Sequence, residues 1–283
     1  MKDLKITNKT IDIEKIIQSK SKKLYRFLPR FLINYLKNIL HEQDLNAYLF
    51  KNKDLFGIDF ATAILKDFGC KIDLEGEDRI RPEGRFILAS NHPLGGLDGM
   101  AIISAVGKIR KNILFPVNDF LMALPNLRPI FIPINKIGNN TENHHALQQA
   151  FASDATLLFF PAGLCSRKQK NGLIRDLPWK KTFVTQAKET HRDIIPVFID
   201  GNNSNFFHNL ARWRVRLKLK FNIEQAFLVN EMFKQRGQHI KIIVGKAIPY
   251  EILDNQYSDM QWAQLIQTHV YRLQENKDID FVF

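Results

Sequence analysis

Only two of the 283 residues are cysteine, Cys70 and Cys165, and no Cys-x-x-Cys pair occurs. That scarcity excludes a disulfide framework and a cysteine-built zinc site, and it points to a reducing compartment. The chain also lacks the uninterrupted apolar run of ~20 residues that a membrane-crossing helix takes. Its start, Met1-Lys2-Asp3-Leu4-Lys5, has neither the apolar core nor the small-residue cleavage site of a signal peptide. A soluble protein or one resting on a membrane surface is therefore expected. Acid is in short supply, with 29 Asp and Glu against 41 Lys and Arg and a formal charge of +12. Such a surface attracts polyanions (nucleic acid, anionic lipid or phosphorylated small molecules), and charge alone does not choose among them. With 45% hydrophobic and 25% charged residues, and no repeat or low-complexity tract, disorder and fibrous folds are excluded.

What is present divides at about residue 57. From Ile11 to Phe50 the chain reads as helical and basic, with Lys20, Lys22, Lys23, Arg26, Arg30 and Lys37 among aromatic and aliphatic residues. Pro29 breaks it into two helices or a hairpin. Cations interleaved with Tyr25, Phe27, Phe31 and Tyr35 suit a segment lying in a membrane interface, and equally a helix packed on the main domain with a solvated basic side. Residues 58–283 then alternate helices with short strands. Strands are expected at Arg85–Ala89, Ile113–Val117, Ile130–Ile134, Thr156–Phe160, Ile194–Ile199 and Ile240–Val244. Helices are expected at Phe60–Phe68, Leu97–Val106, Glu142–Ala152, Trp179–Thr190 and Met260–Leu273. Continuous apolar strands between helices predict an α/β fold, its central sheet mostly parallel or mixed and covered by helices on both faces.

The most informative segment is Asn91-His92-Pro93-Leu94-Gly95-Gly96-Leu97-Asp98-Gly99, directly after the strand Phe86-Ile87-Leu88-Ala89. An imidazole that titrates near neutrality can accept a proton, and a carboxylate on its far nitrogen fixes the tautomer. His92 and Asp98 lie too irregularly spaced to share a helix face, so their meeting requires the turn that Gly95 and Gly96 permit. The plainer reading is that His92 ends a strand and Asp98 caps the next helix. Amides of the Gly95 to Gly99 turn, at a helix start, would serve to stabilise an oxyanion.

Three blocks in order, Asn91-His92 with Asp98, then Phe160-Pro161-Ala162-Gly163-Leu164-Cys165-Ser166-Arg167, then Ile195-Pro196-Val197-Phe198-Ile199, resemble the glycerolipid acyltransferase family, typified by the 1-acylglycerol-3-phosphate acyltransferases. The resemblance implies that His92 is the general base on an acceptor hydroxyl, held by Asp98. It further implies an acyl thioester of coenzyme A or acyl carrier protein as donor, with no cofactor and no metal. Asn91, Gly95, Gly96, Phe160, Pro161, Gly163 and the segment around Phe131 would line the substrate site. Arg167, just past the family's arginine position, and Lys136 would hold an anionic group.

The chain departs from the family in three places. One extra residue separates His92 from Asp98, Ala162 stands where a glutamate is usual, and Leu164-Cys165 replace Thr-Arg. Losing a carboxylate and a guanidinium implies a changed headgroup. The form of the first block resembles a bacterial branch whose acceptors include acylated amino-acid lipids as well as lysophospholipids. The expected partners are then a lyso-lipid acceptor, an acyl thioester and an anionic membrane surface at the cytoplasmic face of the inner membrane, with no nucleic acid. A non-enzymatic nucleic-acid module, using the alternation of Arg212, Arg214, Arg216, Lys218 and Lys220 with apolar residues, or an acyl hydrolase, are the competing readings. That alternation fits a strand or a helix. Cys165 reads as a buried small hydrophobe, His144 and His145 as solvated residues, and Asn118 and Asp119 as turn formers.

Overall fold

The computed structural model describes residues 9–118, 121–134, 140–219 and 222–283. Lys136, Asp119 and Lys220 lie outside them. The basic segment forms four helices, α1 (Ile13–Lys20), α2 (Lys22–Phe27), α3 (Arg30–Ile39) and α4 (Glu42–Lys51). Pro29 caps α3, as its fixed φ allows, and His41 turns the chain into α4 in the left-handed region at φ 49°. This segment is tied to the body rather than trailing from it. The His41 ring stacks on Phe233 at 3.9 Å, and its Nε2 lies 3.0 Å from Asn230 Oδ1. Leu49 enters the main core.

The remaining helices are α5 (Gly57–Asp67), α6 (Gly96–Val106), α7 (Asn140–Ala152), α8 (Thr182–Thr190), α9 (Asn205–Arg216), α10 (Leu228–Lys234) and α11 (Asp259–Arg272). Among the described residues seven strands build one sheet: β1 (Lys71–Glu75), β2 (Phe86–Ser90), β3 (Ile113–Val117), β4 (Phe131–Pro133), β5 (Thr156–Phe159), β8 (Asp193–Ile199) and β9 (His239–Val244). Two short strands, β6 (Arg167–Lys168) and β7 (Ile174–Arg175), pair separately. The sheet order is β1-β9-β8-β2-β5-β3-β4, parallel except where β8 meets β9. The sheet is therefore mixed but largely parallel.

Burial explains the order. In β2 every residue is buried, and successive side chains go to opposite faces. Leu88 joins the core under α5 and α6, whereas Ile87 and Ala89 join the second core under α7, α8 and α11. β1, Lys-Ile-Asp-Leu-Glu, alternates polar with apolar residues and sits at the sheet edge, where one side needs no apolar cover. No helix among the described residues is long and apolar enough to cross a membrane.

Arg192 closes the far end of the sheet. Its fully buried guanidinium donates to the carbonyls of Phe151 (2.9 Å), Ala155 (2.7 Å) and Ser153, binding α7 to β5. Arg192→Met keeps the volume and takes the donor from the Ala155 carbonyl, while the Phe151 and Ser153 carbonyls keep the Arg85 guanidinium at 2.8 and 3.3 Å, so the cost is ~1–3 kcal/mol for the one group orphaned. The expected loss, roughly 1–3 kcal/mol, is read from denaturant midpoints at constant slope.

Candidate active site

β2 ends in the middle of the sheet, so the turn that follows opens at the carboxyl edge of the strands, where α/β sheets bind ligands. Asn91 fixes the turn's first residue: its buried amide donates to the Ile199 carbonyl at 2.8 Å and accepts from the Ile199 amide at 2.7 Å. Expected among the substrate-binding residues, Asn91 instead has both ends of its amide engaged with β8. His92 is clamped through its backbone on both sides, its N–H donating to Asp176 at 3.2 Å and its carbonyl accepting from Ser166 N at 2.8 Å.

The turn then brings His92 Nδ1 to 2.9 Å from Asp98 Oδ2. The same oxygen accepts from the amides of Leu94 (2.8 Å) and Gly95 (2.9 Å). Both readings of Asp98, helix cap and orienting acid, are thus met by one atom. A carboxylate only accepts, so in the neutral ring Nδ1 carries the proton and Nε2 is left as the basic nitrogen. Gly95 makes the turn possible: its φ is +78°, and a Cβ there would meet Leu228 at 3.3 Å and the Cys165 sulfur at 3.4 Å. Gly96 has no such requirement, its nearest neighbour being Met232 at 3.7 Å. The amides of Leu94 and Gly95 are taken by Asp98. The Asp98 amide donates to the Gly95 carbonyl at 3.1 Å, so the amides of Gly96 and Leu97 are the ones at the helix start left for an oxyanion, fewer than the sequence suggested.

The second block packs on the same ring. Phe160 stacks on His92 with centroids 4.2 Å apart and planes within 17°. Phe115 meets Phe160 edge-on at 5.4 Å, and Phe131 lies behind Phe115 at 5.9 Å. Phe131 is therefore core, reaching His92 only through two other rings. Pro161 accepts from Lys180 N at 3.2 Å, and Gly163, at φ +67°, closes a turn onto the Phe160 carbonyl. Lys180 Nζ lies 3.3 Å from where a Cβ on Gly163 would stand.

Cys165 is buried as expected, yet its sulfur adjoins the His92 ring, a neighbour that sequence alone does not reveal. Burial disfavours an imidazolium at His92, but the Cys165 sulfur and the Asp98 carboxylate outweigh it, and the pKa lies well above the usual 6.5.

Arg167 turns inward. Its guanidinium donates to the Cys165 carbonyl at 2.7 Å, pairs with Glu224 at 3.2 Å and lies over the Phe207 ring at 4.6 Å. Glu224, fully buried, is shared with Arg214 at 3.0 Å. Arg167 thus shapes the backbone of the block. Asp176 is a site residue that the sequence does not mark: buried, it accepts from Ser166 Oγ at 2.6 Å and Trp179 Nε1 at 2.9 Å besides the His92 amide. Ten positions beyond Ser166, with only Trp179 nearby as a hint, it has no local spacing that would mark it.

The model of the family described as Acyltransferase matches residues 15–280. The chain is 44% identical over 265 residues to the lyso-glycine lipid O-acyltransferase of Phocaeicola vulgatus, covering 93% of this chain and 95% of that protein. To the lyso-glycine lipid O-acyltransferase of Bacteroides thetaiotaomicron it is 41% identical over 265 residues, covering 93% and 97%. The chain belongs to the acyltransferase family. Among solved structures it is similar to a 1-acyl-sn-glycerophosphate acyltransferase from Thermotoga maritima, at 15% identity and a TM-score of 0.46 over 86% of this chain and 92% of that one.

Membership sets aside the non-enzymatic nucleic-acid module. Arg212, Arg214 and Arg216 of that reading stand in a helix and not a strand: Phe207, His208 and Ala211 bury one side of α9 at helical spacing, and Ser204 caps its start. In this acyltransferase the paired His92 and Asp98 stand on a turn fixed from three directions, by β8, by the Phe160–Arg167 block and by Asp176.

Proposed function

We propose that this acyltransferase moves a fatty acyl group from a thioester of coenzyme A or acyl carrier protein to the hydroxyl of a lyso-lipid, an N-acyl amino-acid lipid before a lysophospholipid. The observation that carries the reading is the 2.9 Å contact between His92 and Asp98 in a chain of this family. The names of the two curated relatives, both lyso-glycine lipid O-acyltransferases, support the acceptor class.

In this mechanism His92 Nε2 takes the proton of the acceptor hydroxyl, and the oxygen attacks the thioester carbonyl. Asp98 holds the tautomer and stabilises the imidazolium that forms. The first amides of α6, at Gly96 and Leu97, face the developing oxyanion. His92 then returns its proton to the departing thiolate. No enzyme nucleophile, cofactor or metal is required. Phe160, Pro161 and Gly163 line the acceptor side. The acceptor's anionic group lies against Lys180, with Lys136 a second cation and Arg167 holding the block in shape.

The protein works at the cytoplasmic face of the inner membrane as a peripheral enzyme, and the exposed Phe27 and Phe31 of the basic N-terminal segment suit an anionic leaflet. The test is incubation of purified protein with acyl-CoA or acyl carrier protein thioester and a panel of N-acyl amino acids and lysophospholipids, with products read by mass spectrometry. An O-acylated amino-acid lipid is the expected product. Free fatty acid alone would make the enzyme a hydrolase, and Lys180→Ala should raise KM for the preferred acceptor several-fold, by about the value of one charge contact.

A further inference from the structure

The end of α9 is left unexplained by the chemistry. From Arg212 to Leu219 all residues but Arg214 are exposed, including Trp213 at 68%, Val215 at 64% and Leu217 at 64%. Interleaved with them stand Arg212, Arg216 and Lys218, and residues 205–219 contain no Asp or Glu. A contiguous exposed stretch of Trp, Val and Leu on a soluble surface marks an interaction site.

Its chemistry selects the occupant. Indole sits at the membrane–water boundary, aliphatic side chains pass below it, and Arg and Lys reach back to anionic headgroups. A nucleic acid would meet the cations but leave Val215, Leu217 and Leu219 without apolar contact. A second copy would bring six like charges together with no acid from this stretch to match them.

The inner side of the same helix is joined to the catalytic block. Phe207 lies under Arg167, and Arg214 pairs with the Glu224 that also holds Arg167. Arg167 in turn holds the Cys165 carbonyl, one residue from the Ser166 amide that fixes His92. We propose that Arg212–Leu219 is a foot that enters the surface of an anionic bilayer and seats the Phe160–Arg167 block over the leaflet from which the acceptor is drawn. The inference rests on the acceptor being a membrane lipid, and it adds a second contact, independent of the N-terminal helices.

The molecule carries its own probe. Of its three tryptophans, Trp179 and Trp262 are fully buried, so Trp213 alone reports on the surface. The full-length protein is mixed with phosphatidylcholine vesicles, with and without phosphatidylglycerol, whose acyl chains are brominated. With the anionic vesicles Trp213 emission should shift to the blue and be quenched, and Leu217→Glu should weaken vesicle binding roughly tenfold without changing the melting temperature.

Binding is read without substrate, so the outcome stands apart from the assay of acyl transfer. Vesicle flotation with Trp213 emission unmoved and Leu217→Glu neutral would overturn the foot while leaving the N-terminal helices as the membrane contact. Absence of vesicle binding, or a Trp213 shift produced by oligonucleotide or by raised protein concentration instead, would overturn it as well.

Discussion

His92→Ala should lower kcat/KM by about 10²–10⁴-fold while leaving the far-ultraviolet circular dichroism and the melting temperature close to those of the parent, because general-base catalysis contributes on that scale. The ring packs against Phe160 and is only partly exposed, so some stability is lost with it, but the backbone clamps from Ser166 and Asp176 do not depend on the side chain. The sign of the pH dependence follows from the site. In the proposed mechanism neutral imidazole is the working form, and it accumulates as pH rises through a pKa held above 6.5 by the Cys165 sulfur and the Asp98 carboxylate against burial. Activity should therefore rise with pH along a limb centred above that of a free histidine.

Asp98→Asn removes a hydrogen-bonded group that raises the pKa and lets the ring choose the wrong tautomer. The limb should move to lower pH while the plateau falls by roughly two orders of magnitude, the cost of a misoriented base. A plateau near that of the parent in either variant would remove the base assignment. A limb unmoved in Asp98→Asn would show that the carboxylate serves only the helix cap.

How much of this was legible in the sequence depends on how local the signal is. β2, β3 and β8 are continuous apolar runs with turn residues at their ends, and the strands stand where the pattern puts them. The His92 turn was readable because it compresses a base, an acid and two glycines into one segment. β1 is poorly marked although Ile72 and Leu74 alternate with charged residues, since five residues of alternation at an edge resemble a loop. The pattern of α9 is ambiguous for a related reason: Arg, Trp, Arg, Val, Arg alternates at period two only because its last turn is exposed on nearly every side. The partners of the site were less accessible still. That Cys165 touches the base, that Arg167 turns inward to Glu224, and that Asn91 grips β8 are long-range facts, each fixed by the packing of elements far apart in the chain.

Asp176 shows what such a long-range contact is worth. Its carboxylate is buried and accepts from three donors: the His92 amide, the Ser166 hydroxyl and the Trp179 indole. Asp176→Ala leaves the His92 amide and the buried Trp179 indole without a partner and the Ser166 hydroxyl with Tyr271 alone. At ~1–3 kcal/mol for each unsatisfied group, and with incomplete additivity, stability should fall by roughly 2–4 kcal/mol. Two of those donors belong to the residues that hold the base and the acceptor block in register, so the loss is not confined to stability. A displacement of the base by about 1 Å costs on the order of 10²-fold in rate, and kcat, corrected for the folded fraction, should fall by that amount with KM little changed.

Asp176→Asn separates packing from charge. It keeps the volume and one acceptor while removing a carboxylate that lies close enough to His92 for the two charges to interact. The acid limb of the pH profile should then shift toward lower pH, in the same direction as in Asp98→Asn but by less, since no direct hydrogen bond to the ring is lost. A variant that melts early yet retains the parent's kcat and pH limb would make Asp176 a structural residue only, and the fixed position of His92 would then rest on Ser166 and β8.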